Sequence, residues 1–186
     1  MMGKLAKGLK YNLGVRTLRK LAGKKTRSRN FLPLDKVKTV MLAYDEYQTT
    51  EAREKKAIQK FIAFLNEKQK AITTVIYFHK RKAANIPASP DDNTIHLSKN
   101  DFNSLGMPKT TQVKKLMAEP YDYFINLNLD GRMPLKSIAG FTSATCRIGY
   151  NRDKATEFYD IILGDPDKPK IELYIADLEF YLQKIG

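Results

Sequence analysis

The sequence predicts an α/β fold: a single Rossmann-like three-layer domain with a mostly parallel sheet. The run at residues 123–129 is short, apolar and rich in β-favouring side chains, which is typical of a strand buried on both faces. A short helix over residues 134–139, with Gly140 as its stop, and a second strand over residues 146–150 are predicted next. Strand, helix and strand in this order form a βαβ unit, which requires a parallel sheet with helices on its faces.

The segments before this unit extend the same pattern. Residues 37–44 and 71–78 predict two more buried strands. Between them, residues 50–68 predict a helix over one face of the sheet, because apolar side chains recur at helical spacing. Residues 83–109 are the least regular part, with a short strand at 94–97 and a helical turn capped by Ser98 or Asn100. A short helix at 113–117 follows.

After the unit, residues 157–163 predict another strand. A long amphipathic helix starts near Pro169, a residue suited to a first helical turn. Its apolar side chains repeat over four turns. We expect this helix to seal the second face of the sheet.

Residues 1–34 are predicted to form a basic amphipathic arm outside the domain, which spans residues 35–186. Two apolar stripes at helical spacing lie on roughly opposite sides of the arm. Gly14 is therefore expected to break the helix, so that each half presents its own stripe. The alternative is that Leu18, Leu21 and their neighbours pack on the domain while the lysines are solvated. The stripes consist of Met2, Leu5, Leu9 and Leu13, and of Tyr11, Val15, Leu18 and Ala22.

The net charge of +13 is concentrated in the arm, which holds ten lysines and arginines and no acid. A basic arm on a nearly balanced domain indicates a polyanionic partner. We expect RNA or a ribonucleoprotein, such as the ribosome; the alternative is an anionic membrane surface. The residues expected to contact phosphates are Arg16, Arg19, Lys20, Lys24, Lys25, Arg27, Arg29, Lys80, Arg81 and Lys82.

The sequence lacks the common motifs for catalysis, phosphate binding and membrane insertion. Cys146, the one cysteine, adjoins a predicted buried strand and is expected to be an inert core thiol. No glycine-rich phosphate loop and no nucleophile elbow is present, and His79 and His96 belong to no ligand-spaced pair. No run approaches the ~20 apolar residues of a membrane span, and no secretory signal is recognisable. We therefore expect a cytoplasmic, non-enzymatic protein with no cofactor and no metal.

Acidic and amide side chains follow the predicted strands. In a parallel sheet, ligands lie outside the carboxyl ends of strands. Carboxylates gathered there are able to hold Mg²⁺ or a small ligand. The alternative is that these residues form turns and helix caps, for which Asp and Asn are preferred. The candidate ligand-site residues are Asp45, Glu46, Asn128, Asp130 and Asp165.

The central stretch also resembles known sequences. The matching positions are Pro134-Leu135, Ser143, Ala144, Gly149 and Tyr159-Asp160-Ile161. Over most of residues 35–185 the chain resembles a family of short uncharacterised bacterial proteins typical of Bacteroidota. It more distantly resembles the N-terminal half of heptosyltransferase-type glycosyltransferases. The resemblance implies the fold, with a degenerate glycosyltransferase-like or receiver-like ligand domain as a further alternative. It implies no catalytic residue, because the matches are buried packing positions.

Overall fold

The described residues form a six-stranded sheet in which every strand pairing is parallel. The computed structural model describes residues 2–23, 29–49, 51–79, 85–152 and 156–184. The strand order is β3-β2-β1-β4-β5-β6, so the chain leaves β1 in one direction and later returns to its other side. This arrangement confirms the predicted Rossmann-like fold class. The strands are β1 Thr39–Asp45, β2 Ala71–Phe78, β3 Thr94–Ser98, β4 Tyr123–Asn126, β5 Cys146–Tyr150 and β6 Ile161–Leu163.

Helices cover both faces of the sheet. In the described ranges they are α1 Met2–Ala22, α2 Ala52–Glu67, α3 Thr111–Ala118, α4 Met133–Phe141 and α5 Ile171–Lys184. One core cluster joins the sheet to α2 and α5, and a second joins it to α1, α3 and α4. Right-handed crossovers explain the division. The crossovers from β1 to β2 and from β4 to β5 run in opposite directions, so α2 and α4 lie on opposite faces.

The last helix lies beside α2 and not on the second face, so that prediction is wrong. Tyr174 of α5 is fully buried in the same core cluster as Phe61 of α2. Its hydroxyl donates to the carbonyl oxygen of Asn126 at 3.2 Å. The second face is already covered by α1, α3 and α4. Spacing along α5 identified its apolar side but carried no information about which sheet face was vacant.

The N-terminal helix packs one face on α4. Val15 and Leu18 are buried in the second core cluster, and Lys136 of α4 donates to the hydroxyl of Tyr11. The stripe of Tyr11, Val15, Leu18 and Ala22 therefore faces the domain. The expected break near Gly14 is wrong because α1 is continuous. The domain boundary predicted at residue 34 stays a prediction.

Gly140 lies inside α4 and does not end it, contrary to the prediction. A Cβ atom placed on Gly140 would lie 2.7 Å from Cδ1 of Leu18, so the missing side chain is what lets α1 approach α4. The end of α4 is instead held by Arg147. Its guanidinium donates to the carbonyl oxygens of Gly140 at 3.3 Å and Thr142 at 2.5 Å.

The strand predicted over residues 157–163 is shorter than expected. A 3-10 turn over Thr156–Phe158 precedes it, and pairing begins at Ile161. Phe158 is buried in the second core cluster, and the ring of Tyr159 covers Gly149 of β5. Their apolar character thus reflects packing onto the sheet and not membership of it.

None of the helices in the described part of the chain is apolar over the length that a bilayer crossing requires.

Candidate functional site

The side chains of Asp45, His79 and Arg132 meet beyond the ends of β1 and β2. Asp45 is the last residue of β1 and is fully buried. Its Oδ1 lies 2.8 Å from Nδ1 of His79 and accepts the backbone N–H of Tyr47 at 2.9 Å. Its Oδ2 accepts Nε of Arg132 at 3.1 Å. A buried carboxylate requires such partners, because burying an unpaired charge is costly.

The polar residues after β4 form a chain of hydrogen bonds that shapes the loop. The backbone N–H of Asn128 donates to Oδ1 of Asn126 at 3.0 Å. The backbone N–H of Arg132 donates to Oδ1 of Asn128 at 2.7 Å, and its Nη2 donates to Oδ2 of Asp130 at 3.0 Å. Asn126 reaches further and donates to the hydroxyl of Tyr159 at 2.7 Å. These contacts place the Arg132 guanidinium against Asp45.

The predicted acid site is thus only partly assembled. Asp45, Asn128 and Asp130 come together through Arg132, whereas Glu46 is half-buried in the 3-10 turn after β1. Asp165 lies after β6, where its Oδ1 accepts the backbone N–H of Asp167 at 2.9 Å. Among the described residues, no group of three or more His, Cys, Asp or Glu side chains has a metal-binding arrangement.

Arg132 is the member of this network that the sequence did not single out. His79 directly follows β2, and its Nδ1 bonds the buried Asp45. Arg132 follows the Asp130-Gly131 turn, and this spacing was the one available signal. Gly131 has a φ of 63°, a backbone conformation that favours glycine, and it turns the chain back toward β1.

The predicted phosphate-binding residues divide into two groups in the structure. Arg16 and Lys20 are exposed on α1. Arg19 forms an ion pair with Glu157, and Nε of Arg29 lies 3.6 Å from Oδ1 of Asp160. Six of the predicted residues lie outside the described ranges: Lys24, Lys25, Arg27, Lys80, Arg81 and Lys82.

The outward face of α1 also carries apolar side chains. Leu9 is 65% exposed, Leu13 is 45% exposed and Leu21 is 43% exposed. On a helical wheel, Leu9 falls between the exposed cations Arg16 and Lys20, and Leu13 falls just beyond Lys20. This face is therefore both basic and apolar, while the opposite face packs on the domain.

The chain matches the model of one protein family, DUF6913, which is described as a family of unknown function; the match covers residues 10–185. No curated protein matches the chain. The matched range runs from α1 to α5, so it includes the part of α1 that packs on the domain.

Proposed function

We propose that this chain, which belongs to the DUF6913 family of unknown function, is a non-enzymatic cytoplasmic protein that docks on RNA or a ribonucleoprotein through its N-terminal segment. One observation carries the proposal. Residues 1–34 hold ten of the lysines and arginines and no acid, and the inward face of α1 is occupied by the domain. The remaining face presents positive charge to solvent. Such a surface attracts phosphates through sequence-independent contacts and the release of counterions.

Arg16 and Lys20 are the described residues that best support this role. Both are exposed, and neither forms an ion pair with another described residue. Arg19 and Arg29 are engaged with domain acids, but both arginine side chains are at least half exposed. Exposed pairs of this kind contribute only about 0–1 kcal/mol. Either arginine could therefore leave its acid and bind an RNA phosphate at a small cost in free energy.

The experiment compares the double variant Arg16→Gln, Lys20→Gln with a matched control, Lys114→Gln, Lys115→Gln. The control lysines are exposed and lie on α3, a different helix. Binding to a fluorescently labelled single-stranded RNA is measured by anisotropy across a salt series. Each lost phosphate contact should reduce the slope of log affinity against log salt by about 0.7 for single-stranded RNA. We expect a reduction of about 1.4 for the α1 variant and none for the control.

Equal affinity and equal slope for the α1 variant and the unmodified protein would refute the proposal. A truncation before Asp35 is a poor substitute for these variants. It would remove Leu18 and Val15, both buried, and so expose core as well as remove charge.

An anionic membrane surface is a second candidate partner, and the exposed leucines favour it. Leu9 and Leu13 lie beside cations on the outward face of α1, a pattern typical of helices that lie in the membrane interface. The variant Leu9→Gln, Leu13→Gln separates the two candidates. Loss of co-sedimentation with phosphatidylglycerol vesicles, with RNA binding unchanged, would support the membrane. Unchanged RNA binding without any vesicle binding would support RNA.

The distant likeness to glycosyltransferases and to Bacteroidota proteins remains part of the proposal. Two of the motif positions have packing roles that support a shared fold. Gly149 admits the ring of Tyr159, and Asp160 accepts the backbone N–H of Arg147 at 2.9 Å. Residues with packing roles are shared by proteins of the same fold, whatever their activity. These two positions therefore support a relationship to those families but do not imply that the chain transfers sugars.

A further inference from the structure

A cleft opens between α1 and the carboxyl end of the sheet. Its volume is about 540 Å³, within the range of about 300–1,000 Å³ typical of small-molecule sites. It adjoins the point where β1 has β2 on one side and β4 on the other. In open parallel sheets, this reversal of strand order is the place where ligands bind. The walls come from α1, from residues 99–106, from the start of α4 and from Tyr77 of β2.

The charged residues that line the cleft are all positive. They are Lys10 on α1, Lys99 in the turn after β3, and Arg132 before α4. No carboxylate is among the described lining residues. Arg132 pairs with the buried Asp45 and with Asp130, so its position does not depend on a ligand and part of its charge is already balanced. Lys10 and Lys99 add further positive charge to the lining, so the cleft suits an anion.

Three aromatic side chains, those of Tyr11, Tyr77 and Phe102, also line the cleft and form its aromatic wall. Tyr77 and Phe102 meet edge to face, with ring centroids 5.7 Å apart. Nζ of Lys136 lies 5.1 Å from the ring centroid of Tyr11 and donates to its hydroxyl. Flat rings bind favourably beside such aromatic side chains. The cleft thus offers contacts for a ring as well as for an anion.

The hydroxyl of Tyr77 is a further polar group in the lining of the cleft. Tyr77 is only 4% exposed, so its ring is held in place by the surrounding core. Burial raises the pKa of Tyr77 to about 12, so the hydroxyl remains protonated at neutral pH. It is a hydrogen-bond donor placed in the wall of a cationic cleft.

We propose that this cleft binds a nucleoside phosphate, with the phosphate at Lys10, Lys99 and Arg132 and the base against the aromatic wall. Lys10 and Tyr11 belong to α1, whereas Lys99 and Arg132 belong to the domain. The ligand therefore bridges α1 and the sheet. This site is separate from the outward face of α1, so it stands or falls independently of RNA docking.

The test is isothermal titration of the full chain with AMP, GMP, CMP and UMP, with adenosine and inorganic phosphate as separate arms. At least one nucleoside monophosphate should bind more tightly than adenosine and more tightly than inorganic phosphate. Lys99→Gln and Tyr77→Phe should each lower the affinity for that nucleotide by about tenfold, which is the effect of one lost hydrogen bond or charge contact. Lys114→Gln, a change of an exposed α3 residue that does not line the cleft, should leave the nucleotide affinity unchanged.

Tyr77→Phe keeps the ring and removes only the hydroxyl, so the variant retains the packing of the core. The double variant Arg16→Gln, Lys20→Gln should keep full nucleotide affinity even if it loses RNA. Absence of binding by all four monophosphates at millimolar concentration would overturn the proposal. Equal affinity for inorganic phosphate, or affinity unaffected by both Lys99→Gln and Tyr77→Phe, would overturn it as well.

Discussion

Replacing Gly140 by alanine tests the docking of α1 on α4. The added Cβ would lie 2.7 Å from Cδ1, 3.1 Å from Cγ and 3.2 Å from Cδ2 of Leu18. Leu18 is fully buried and has no solvent to move into. Overpacking of this kind costs about 1–3 kcal/mol, whereas alanine is favoured over glycine inside a helix by about 1 kcal/mol. We therefore expect Gly140→Ala to lower the free energy of unfolding by about 1 kcal/mol.

The sign of the effect should reverse when Leu18 is shortened. Leu18→Ala alone is expected to lower the free energy of unfolding by about 2–5 kcal/mol. In that background the methyl group of Gly140→Ala enters vacated space, so it should restore about 1 kcal/mol through helix propensity. The two changes are then coupled by about 2 kcal/mol, as expected for residues in direct contact. Gly8→Ala is the matched control on α1, because its Cβ would meet no atom within 4 Å.

The assay is urea unfolding followed by far-ultraviolet circular dichroism for the four members of the cycle and the control. Linear extrapolation gives the free energy of unfolding of each. Gly8→Ala should be neutral or stabilising by up to about 1 kcal/mol. If Gly140→Ala stabilises the otherwise unmodified protein, Leu18 does not contact α4, and the packing of α1 described above is wrong.

The same unfolding assay checks three other substitutions. Gly149→Ala should lower stability by about 2 kcal/mol, because its Cβ would lie 2.5 Å from the ring of Tyr159; a neutral result would contradict that contact. Asp45→Asn should lower stability by about 3 kcal/mol, because it removes the buried charge that pairs with Arg132; a loss below about 1 kcal/mol would count against a buried ion pair. Arg147→Met should lower stability by about 1–3 kcal/mol, because two carbonyl groups at the end of α4 lose their donors; unchanged stability would mean that water satisfies them equally well.

Local sequence patterns predicted the sheet well. The predicted bounds of β2 and β5 coincide with the observed ones, and polar residues flank both strands: Lys70 and His79 for β2, Thr145 and Asn151 for β5. The parallel arrangement followed from the alternation of strands and helices. The sequence also predicted that Asp45 lies at the end of β1, again from the order of neighbouring residues. In each of these cases, neighbours along the chain carry the information.

Contacts between distant parts of the chain account for the errors. Helical spacing along α1 and α5 identified apolar faces, but the partner of each face depends on which other helices occupy the layer. Gly140 was interpreted as a helix stop because a glycine has that meaning in local sequence, whereas here it makes room for Leu18. His79 and Arg132 reach Asp45 across gaps of 34 and 87 residues.

The chain's own pattern of apolar, polar and turn-forming residues was therefore sufficient for its strands, most of its helices and its uneven charge. Three-dimensional packing was needed to bring Lys10, Lys99 and Arg132 around one cleft, and to place Asp45 and Asp130 against Arg132. The reason is physical: local periodicity reflects short-range backbone geometry, while a site is formed by side chains that the fold gathers from separate elements.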